Sequence, residues 1–403
     1  MKNWEHRRLG DLCELITKGT TPTSLGYKFT DEGINFIKVE SLTEMGEIIP
    51  NKVAYINEDC HQALKRSQLK VNDILFSIAG ALGRIGIVNK NIIPANTNQA
   101  LAIIRLKSNS GVLIKYLSKY FNSGIITDEI EKLRGGAAQQ NLSLGQLNEL
   151  NVPLPPLPEQ KRIVAILDEA FAAIAKAKAN AQQNLQNAKE LFESYLQGVF
   201  ENKGEGWEEK TLGEIGKPSM CKRILKHQTS TTGEIPFYKI GTFGKTPDAF
   251  ISKEIYDEFR TKYSFPKKGD ILISASGTIG RRVRYDGEPA FFQDSNIVWI
   301  NNDEKQILND YLYVFYEFCD WQPSKGATIS RLYNSNLTSI KIVFPKSIGE
   351  QKTILKKIDA VSTETKKLES IYQQKINDLE ELKKSVLQKA FVGELKTDKV
   401  VAV

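Results

Sequence analysis

From Glu159 to Phe200 the chain reads EQKRIVAILDEAFAAIAKAKANAQQNLQNAKELFESYLQGVF, and its apolar residues return every three or four positions with no proline to interrupt them. That period puts them on one stripe of a helix. The stretch is rich in Ala, Leu, Glu, Lys and Gln, so intrinsic propensity points the same way. One helix of ~40 residues, ~60 Å long at 1.5 Å per residue, is predicted. The pattern then returns from Glu350 to Phe391 at a constant offset of 191 residues. Glu159-Gln160-Lys161 reappears as Glu350-Gln351-Lys352, Ile163 as Ile354, Glu190-Leu191 as Glu381-Leu382, Leu196-Gln197 as Leu387-Gln388, and Phe200 as Phe391. A gapless offset over this length marks an internal duplication.

Steps of four and three from Ile354 give Ile358, Val361, Thr365, Leu368, Tyr372, Lys375, Leu379, Leu382 and Val386, a mostly apolar heptad seam. The matching seam of the first copy is Ile163, Leu167, Ala170, Ile174, Ala177, Ala181, Asn184, Ala188, Leu191 and Tyr195. One seam is bulky and the other mostly small, so the two helices suit close pairing inside one chain. The heptads leave open whether the pair is parallel or antiparallel, because the intervening segment is long enough to return to either end.

The segments ahead of the helices repeat more loosely. Trp4-Glu5 and Leu9-Gly10 recur as Trp207-Glu208 and Leu212-Gly213, and Phe36-Ile37-Lys38-Val39 as Phe237-Tyr238-Lys239-Ile240. DILFSIAGALGRIG from Asp73 recurs as DILISASGTIGRRV from Asp270, keeping Ser77, Gly80, Gly83 and Arg84 as Ser274, Gly277, Gly280 and Arg281. Short β-type runs such as INFIKV, DILFSI, LAIIRL and KIVFP, split by Gly/Asn/Ser/Thr turns and joined by one or two helices, predict a mixed α/β unit in each copy. The plan is domain, helix, domain, helix, with bounds at 1–157, 158–202, 203–347 and 348–392 and a tail at 393–403. Between the matched blocks, Thr17 to Thr30 and Ser219 to Glu234 differ most, and these stretches are where the two copies can differ in function. The run PLPPLP at Pro153 to Pro158 reads as a stiff strand-to-helix joint, since the second copy keeps little of it beyond Pro345.

Composition narrows the class. The chain has 403 residues, 41% hydrophobic and 26% charged, with a net charge of +7. That length favours at least two domains, and the charge permits a polyanion as partner without requiring one. No apolar run approaches the ~20 residues that cross a bilayer, and the start MKNWEHRRLG lacks a signal peptide's apolar core. Cys13, Cys60, Cys221 and Cys319 are scattered with no CxxC pair, which predicts reduced thiols, a cytoplasmic protein and no metal site.

Taken together, the LPPLPEQKRIV and GEQKTIL lead-ins to the helices, the GGAAQQNLS turn at Gly135 to Ser143, the DILxSxxGxxGR blocks and the paired openings at Leu9-Gly10-Asp11 and Leu212-Gly213-Glu214 resemble the specificity subunit of type I restriction-modification systems. The resemblance covers essentially the whole chain. It implies an α+β protein in which two similar mixed α/β target-recognition domains are separated by two long helices, paired as an antiparallel coiled coil with pseudo-twofold symmetry. Each domain would read one half of a split double-stranded DNA target. The helices would set the gap and dock two modification (methyltransferase) subunits, with restriction subunits joining through them. The second copy departs from the first: Ala327-Thr328-Ile329-Ser330-Arg331 stands where the first has Ala137-Ala138-Gln139-Gln140-Asn141.

Base reading in the major groove needs Arg or Lys for guanine and Asn or Gln for adenine, and binding strength needs phosphate contacts. Ser77, Arg84, Ser274 and Arg281 in the repeated glycine loops are candidates for the phosphate contacts; a plain glycine-supported hairpin is the competing reading. Candidate readers in the first domain are Lys18, Thr20, Thr21, Thr23 and Lys28 with Gln139, Gln140 and Asn141. In the second they are Lys222, Arg223, Lys226, His227, Arg282, Arg284, Lys325, Arg331 and Tyr333. All are polar, loop-placed and different between copies, as two readers of unlike half-sites should be. Helix pairing is assigned to Ile163, Leu167, Ile174, Leu191, Tyr195, Ile354, Ile358, Val361, Leu368, Tyr372, Leu379, Leu382 and Val386.

Enzymatic readings lack their motifs. There is no GxxxxGK[ST] phosphate loop, no Asn/Asp-Pro-Pro-aromatic motif for a flipped base, and His6, His61 and His227 have no triad spacing. No catalytic residue or cofactor is assigned. The expected function is a non-catalytic, sequence-specific DNA-binding subunit with an asymmetric bipartite target. The alternative is a protein-protein scaffold with paired helices and two binding domains.

Overall fold

The computed structural model describes residues 4–43, 46–134, 141–202, 204–323 and 331–395. Two helices dominate it, Leu157–Glu201 and Ile348–Phe391. The chain divides into two compact units, 1–183 with 372–403, and 184–371.

In the first unit a four-stranded antiparallel sheet has the order Cys13–Lys18, Leu101–Leu106, Ile74–Ser77, Ile85–Ile87. Beside it are a three-stranded sheet (Ala54–Ile56, Ile34–Ile37, Ala95–Thr97) and a two-stranded ribbon pairing Glu5–Arg8 with Asn151–Leu154. The second unit repeats this set. Its four strands run Lys217–Ser219, Ile297–Asn301, Ile271–Ser274, Arg282–Arg284, its three Phe250–Ile251, Ile235–Tyr238, Phe291–Phe292, and its ribbon pairs Trp207–Thr211 with Lys341–Pro345.

The near-continuous apolar runs have a simple cause: the central strands are buried on both faces. Ile74 and Phe76 point into the core that contains the long helices, whereas Leu75 points into a second core with Leu101 and Ile103. In the other unit Ile271 and Ile273 face the helix side, and Leu272 packs with Ile297 and Trp299. Strand alternation divides each run between two cores.

Helix direction follows from each unit separately. In the first, Ile163, Val164, Leu167 and Phe171 from the start of the first helix share a core with Leu387, Ala390 and Phe391 from the end of the second. Lys178 also reaches Glu380 at 2.6 Å. In the second unit Phe200, at the end of the first helix, shares a core with Ile354 and Leu355 near the start of the second. Both pairings are antiparallel.

The seam departs from a strict heptad. Ile163, Leu167, Ile174, Ile358 and Leu379 are buried, and Tyr195, Ile354, Val361, Tyr372 and Val386 are half-buried. Leu191, however, is 55% exposed, and Leu368 and Leu382 also stand outside. The buried stripe advances to Leu196, Ile376 and Leu387 instead. A helix of 3.6 residues per turn drifts ~20° per heptad relative to a 3.5 repeat, and over this length the drift moves the stripe by a full position.

Candidate nucleic-acid interface

The junction of domain and helix is built alike in both units. Gln160, fully buried, accepts from the Leu113 amide and donates from its Nε2 to the Gly111 and Pro155 carbonyls, at 2.8 to 2.9 Å. Gln351, also fully buried, accepts from the Leu308 amide and donates to the Gln306 and Pro345 carbonyls. An aromatic clasp sits beside each clamp. Phe391 lies 5.3 Å from both Tyr116 and Tyr120, and Phe200 lies 5.1 Å from Tyr311 and 4.6 Å from Phe318. The sequence flagged these anchors by their literal repetition but could not show that the glutamine is a clamp.

The repeated glycine blocks form matching hairpins. The amides of Gly83 and Gly280 donate to the carbonyls of Ser77 and Ser274, and Gly80, Gly83, Gly277 and Gly280 all have φ between 66° and 83°, which a side chain resists. Ser77 and Ser274 are buried and bond inward, to the Ala79 and Thr278 carbonyls, so they hold the turn and present no donor outward. Arg281 donates to the Phe243 carbonyl at 2.9 Å. Arg84 is half-buried and its guanidinium has no partner among the described residues. The competing reading of a glycine-supported hairpin therefore describes the serines and Arg281.

In the first unit Lys18 is exposed as the last residue of strand Cys13–Lys18, and on the loop that follows it Thr23 and Lys28 are exposed and Thr20 and Thr21 half-buried. The Thr20 amide donates to the Thr97 carbonyl, and the Thr21 hydroxyl donates to Gln99. Lys38, at the end of strand Ile34–Ile37, lies 4.4 Å above the Phe29 ring. Asn141 is exposed; Gln139 and Gln140 lie outside the described residues.

In the second unit the structure brings several candidates together. Arg223, Lys226 and Arg331 line a cleft of about 430 Å³ with Lys239, Gln293 and Asn296. Arg223 pairs with Asp294 at 2.9 Å, and Arg331 Nη2 donates to the side-chain Oδ1 of Asn296 at 3.3 Å. Lys222 stands 4.7 Å over the Tyr263 ring, and His227 and Tyr333 are exposed. Lys325 lies outside the described residues.

Arg282 and Arg284 are placed differently from expectation. Both stack on Tyr313, and they pair with Glu317 and Asp310 respectively. Their charges are taken up against helix Asn309–Phe315 and the turn after it. Lys239, Gln293 and Asn296 carry no local sequence signal that places them beside Arg331; the fold brings them there. Lys239 matches Lys38, and that shared lysine in a repeated block marks the position but not its neighbours.

Burial pushes the Cys13 and Cys221 thiols up to about 12. All four cysteines are free. Among the described residues no group of three or more His, Cys, Asp or Glu side chains could hold a metal, and no helix is long and apolar enough to cross a membrane.

The family model for the type I restriction modification DNA specificity domain matches residues 1–185 and again 204–381. A putative type I restriction enzyme specificity subunit of Haemophilus influenzae is 38% identical over 371 residues, spanning 90% of this chain and 88% of its own length. The putative MjaX specificity subunit of Methanocaldococcus jannaschii is 25% identical over 98% of this chain and 94% of its own. Among solved structures, a chain whose description concerns complex assembly and conformational transition of the type I R-M system superposes with a TM-score of 0.75 at 19% identity, covering 98% of this chain and 99% of that one. The HsdS subunit of Thermoanaerobacter tengcongensis gives 0.65 at 18% identity, covering 98% of each chain. The duplicated domain, the paired helices and these matches establish that the chain belongs to the family of type I restriction-modification specificity subunits.

Proposed function

We propose that this chain is the non-catalytic DNA-recognition subunit of a type I restriction-modification complex in the cytoplasm, reading a bipartite, asymmetric target with one half-site per domain. The recognition domains are residues 1–157 and 203–347, and the helices at 158–202 and 348–392 fix the gap. One observation carries the reading: the same three sheets, hairpin and glutamine clamp are built twice, while the polar loops carried on them differ. Duplicated scaffolds with unlike loops suit two half-sites of unlike sequence. Lys28, Lys222 and Lys226 are exposed on those loops, Lys18 is exposed at the end of the strand before the first of them, and all four suit phosphate contact.

Two modification subunits dock on the helices, and restriction subunits join through them. The exposed Leu191, Leu368 and Ile371 support this, because apolar side chains on a helix that has already buried its own stripe are available to a partner. Catalysis belongs to those other subunits.

The test is DNA binding by the chain assembled with its modification subunits, followed across a salt titration. Replacing Lys18 and Lys28, or Lys222 and Lys226, by alanine is expected to weaken binding for all sequences. Each lost phosphate contact should flatten the log-affinity against log-salt slope by about 1. Binding that is independent of salt would remove the DNA reading and favour the protein scaffold.

A further inference from the structure

Asn141 and Arg331 occupy the same place in the two units. Each precedes a leucine whose amide donates, at 2.9 Å, to the residue just past the central strand: Leu142 to the Ile78 carbonyl, Leu332 to the Ala275 carbonyl. The backbone is thereby fixed beside the glycine hairpin in both copies, and Arg331 is further held by a bridge pairing with Ser276. What differs is the side chain. Asparagine and arginine are the residue types that form paired hydrogen bonds with adenine and with guanine in the major groove.

The setting of Arg331 suits a base reader better than a phosphate clamp. Its Nη2 donates to Asn296 Oδ1 at 3.3 Å, and the same oxygen accepts from the Ser276 hydroxyl at 2.7 Å. That contact restrains the guanidinium while Nε and Nη1 keep no partner among the described residues, which leaves one edge of the fork available. It is half-buried in a concave site rather than carried on a free surface. Lys226 lines the same cleft, where a phosphate contact would place the duplex, as does Lys239, which pairs with Asp248 at 2.8 Å. Asp294, the one acid lining it among the described residues, is paired with Arg223.

We infer that this shared position is a base-reading position: Arg331 reads a guanine in the half-site of the second domain, and Asn141 reads an adenine in that of the first. Asn296 is a positioning residue that orients Arg331. The inference rests on the proposed function and assigns the chemistry of one position within it.

The test uses the chain assembled with its modification subunits and duplexes bearing the motif found by methylome sequencing, with each base pair varied in turn. Arg331→Ala is expected to lower the preference for guanine at a single position of one half-site by at least about tenfold, the factor for about 1.4 kcal/mol. Preferences in the other half-site should stay unchanged. Asn296→Ala should produce a smaller loss at the same position, and Asn141→Ala a loss at an adenine in the other half-site. Arg331→Lys keeps the charge and the stem, so it carries the test if the alanine variant does not fold; it too should discriminate less than the parent. Equal weakening toward every duplex would make Arg331 a phosphate contact and overturn the inference, as would an altered preference at a base pair without guanine. Failure of the unaltered complex to modify any bipartite motif would instead overturn the proposed function, and this inference with it.

Discussion

Gln160 and Gln351, both fully buried, close the junctions between the domains and the long helices. Each amide satisfies one backbone N–H and two carbonyls at the point where a domain meets its helix. Replacing either by alanine would strand those buried groups, and an unsatisfied buried group costs roughly 1–3 kcal/mol. Gln160→Ala and Gln351→Ala are each expected to lower the urea midpoint by an amount equivalent to about 2–4 kcal/mol with the m-value unchanged. A loss under about 0.5 kcal/mol, ordinary for a surface site, would contradict the clamp. The sequence marked these residues as anchors but not their partners, which lie up to 49 residues away. The same blindness explains Arg282 and Arg284. Both read as free cations until the fold brings Glu317 and Asp310 to them from 35 and 26 positions along the chain. Charged residues can be counted from a sequence, but whether a charge is already paired depends on the fold.

At the scale of elements, long helices were the most legible feature, since an unbroken 3.6-residue period over this length has no competing structure. Their direction was not legible from heptads; it follows from which ends share a core. The buried stripe keeps to the heptad positions at Ala170, Ala181 and Ala188 of the first helix and at Thr365 and Leu379 of the second, and leaves them at Leu191, Leu368 and Leu382. This gives a discriminating pair of variants. Phe200→Ala removes a ring buried among Tyr311, Phe315 and Phe318 and should cost about 3–5 kcal/mol. Leu191→Ala, a seam position by heptad counting but exposed, should cost the free chain less than about 0.5 kcal/mol. Equilibrium denaturation measures both, and a reversed order would restore the heptad seam. The glycine blocks were legible as hairpins, whereas the inward turn of Ser77 and Ser274 was not, because only the carbonyl geometry of the turn reveals it.

At the scale of the whole molecule, duplication organises everything, and it was plain in the sequence because the offset never shifts across the helices. Each compact unit contains its own sheets and one part of each long helix, so neither recognition domain is tied to only one of them. The two domains are expected to read their half-sites separately. Base-resolution mapping of methylated sites tests it most directly, in cells supplying the modification subunits with either this chain or a version whose residues 203–347 come from a relative. Two unlike half-sites at a fixed gap are expected for the natural chain; the exchange should replace one half and preserve both the other half and the gap. A single uninterrupted motif, or an exchange that changes both halves at once, would contradict it.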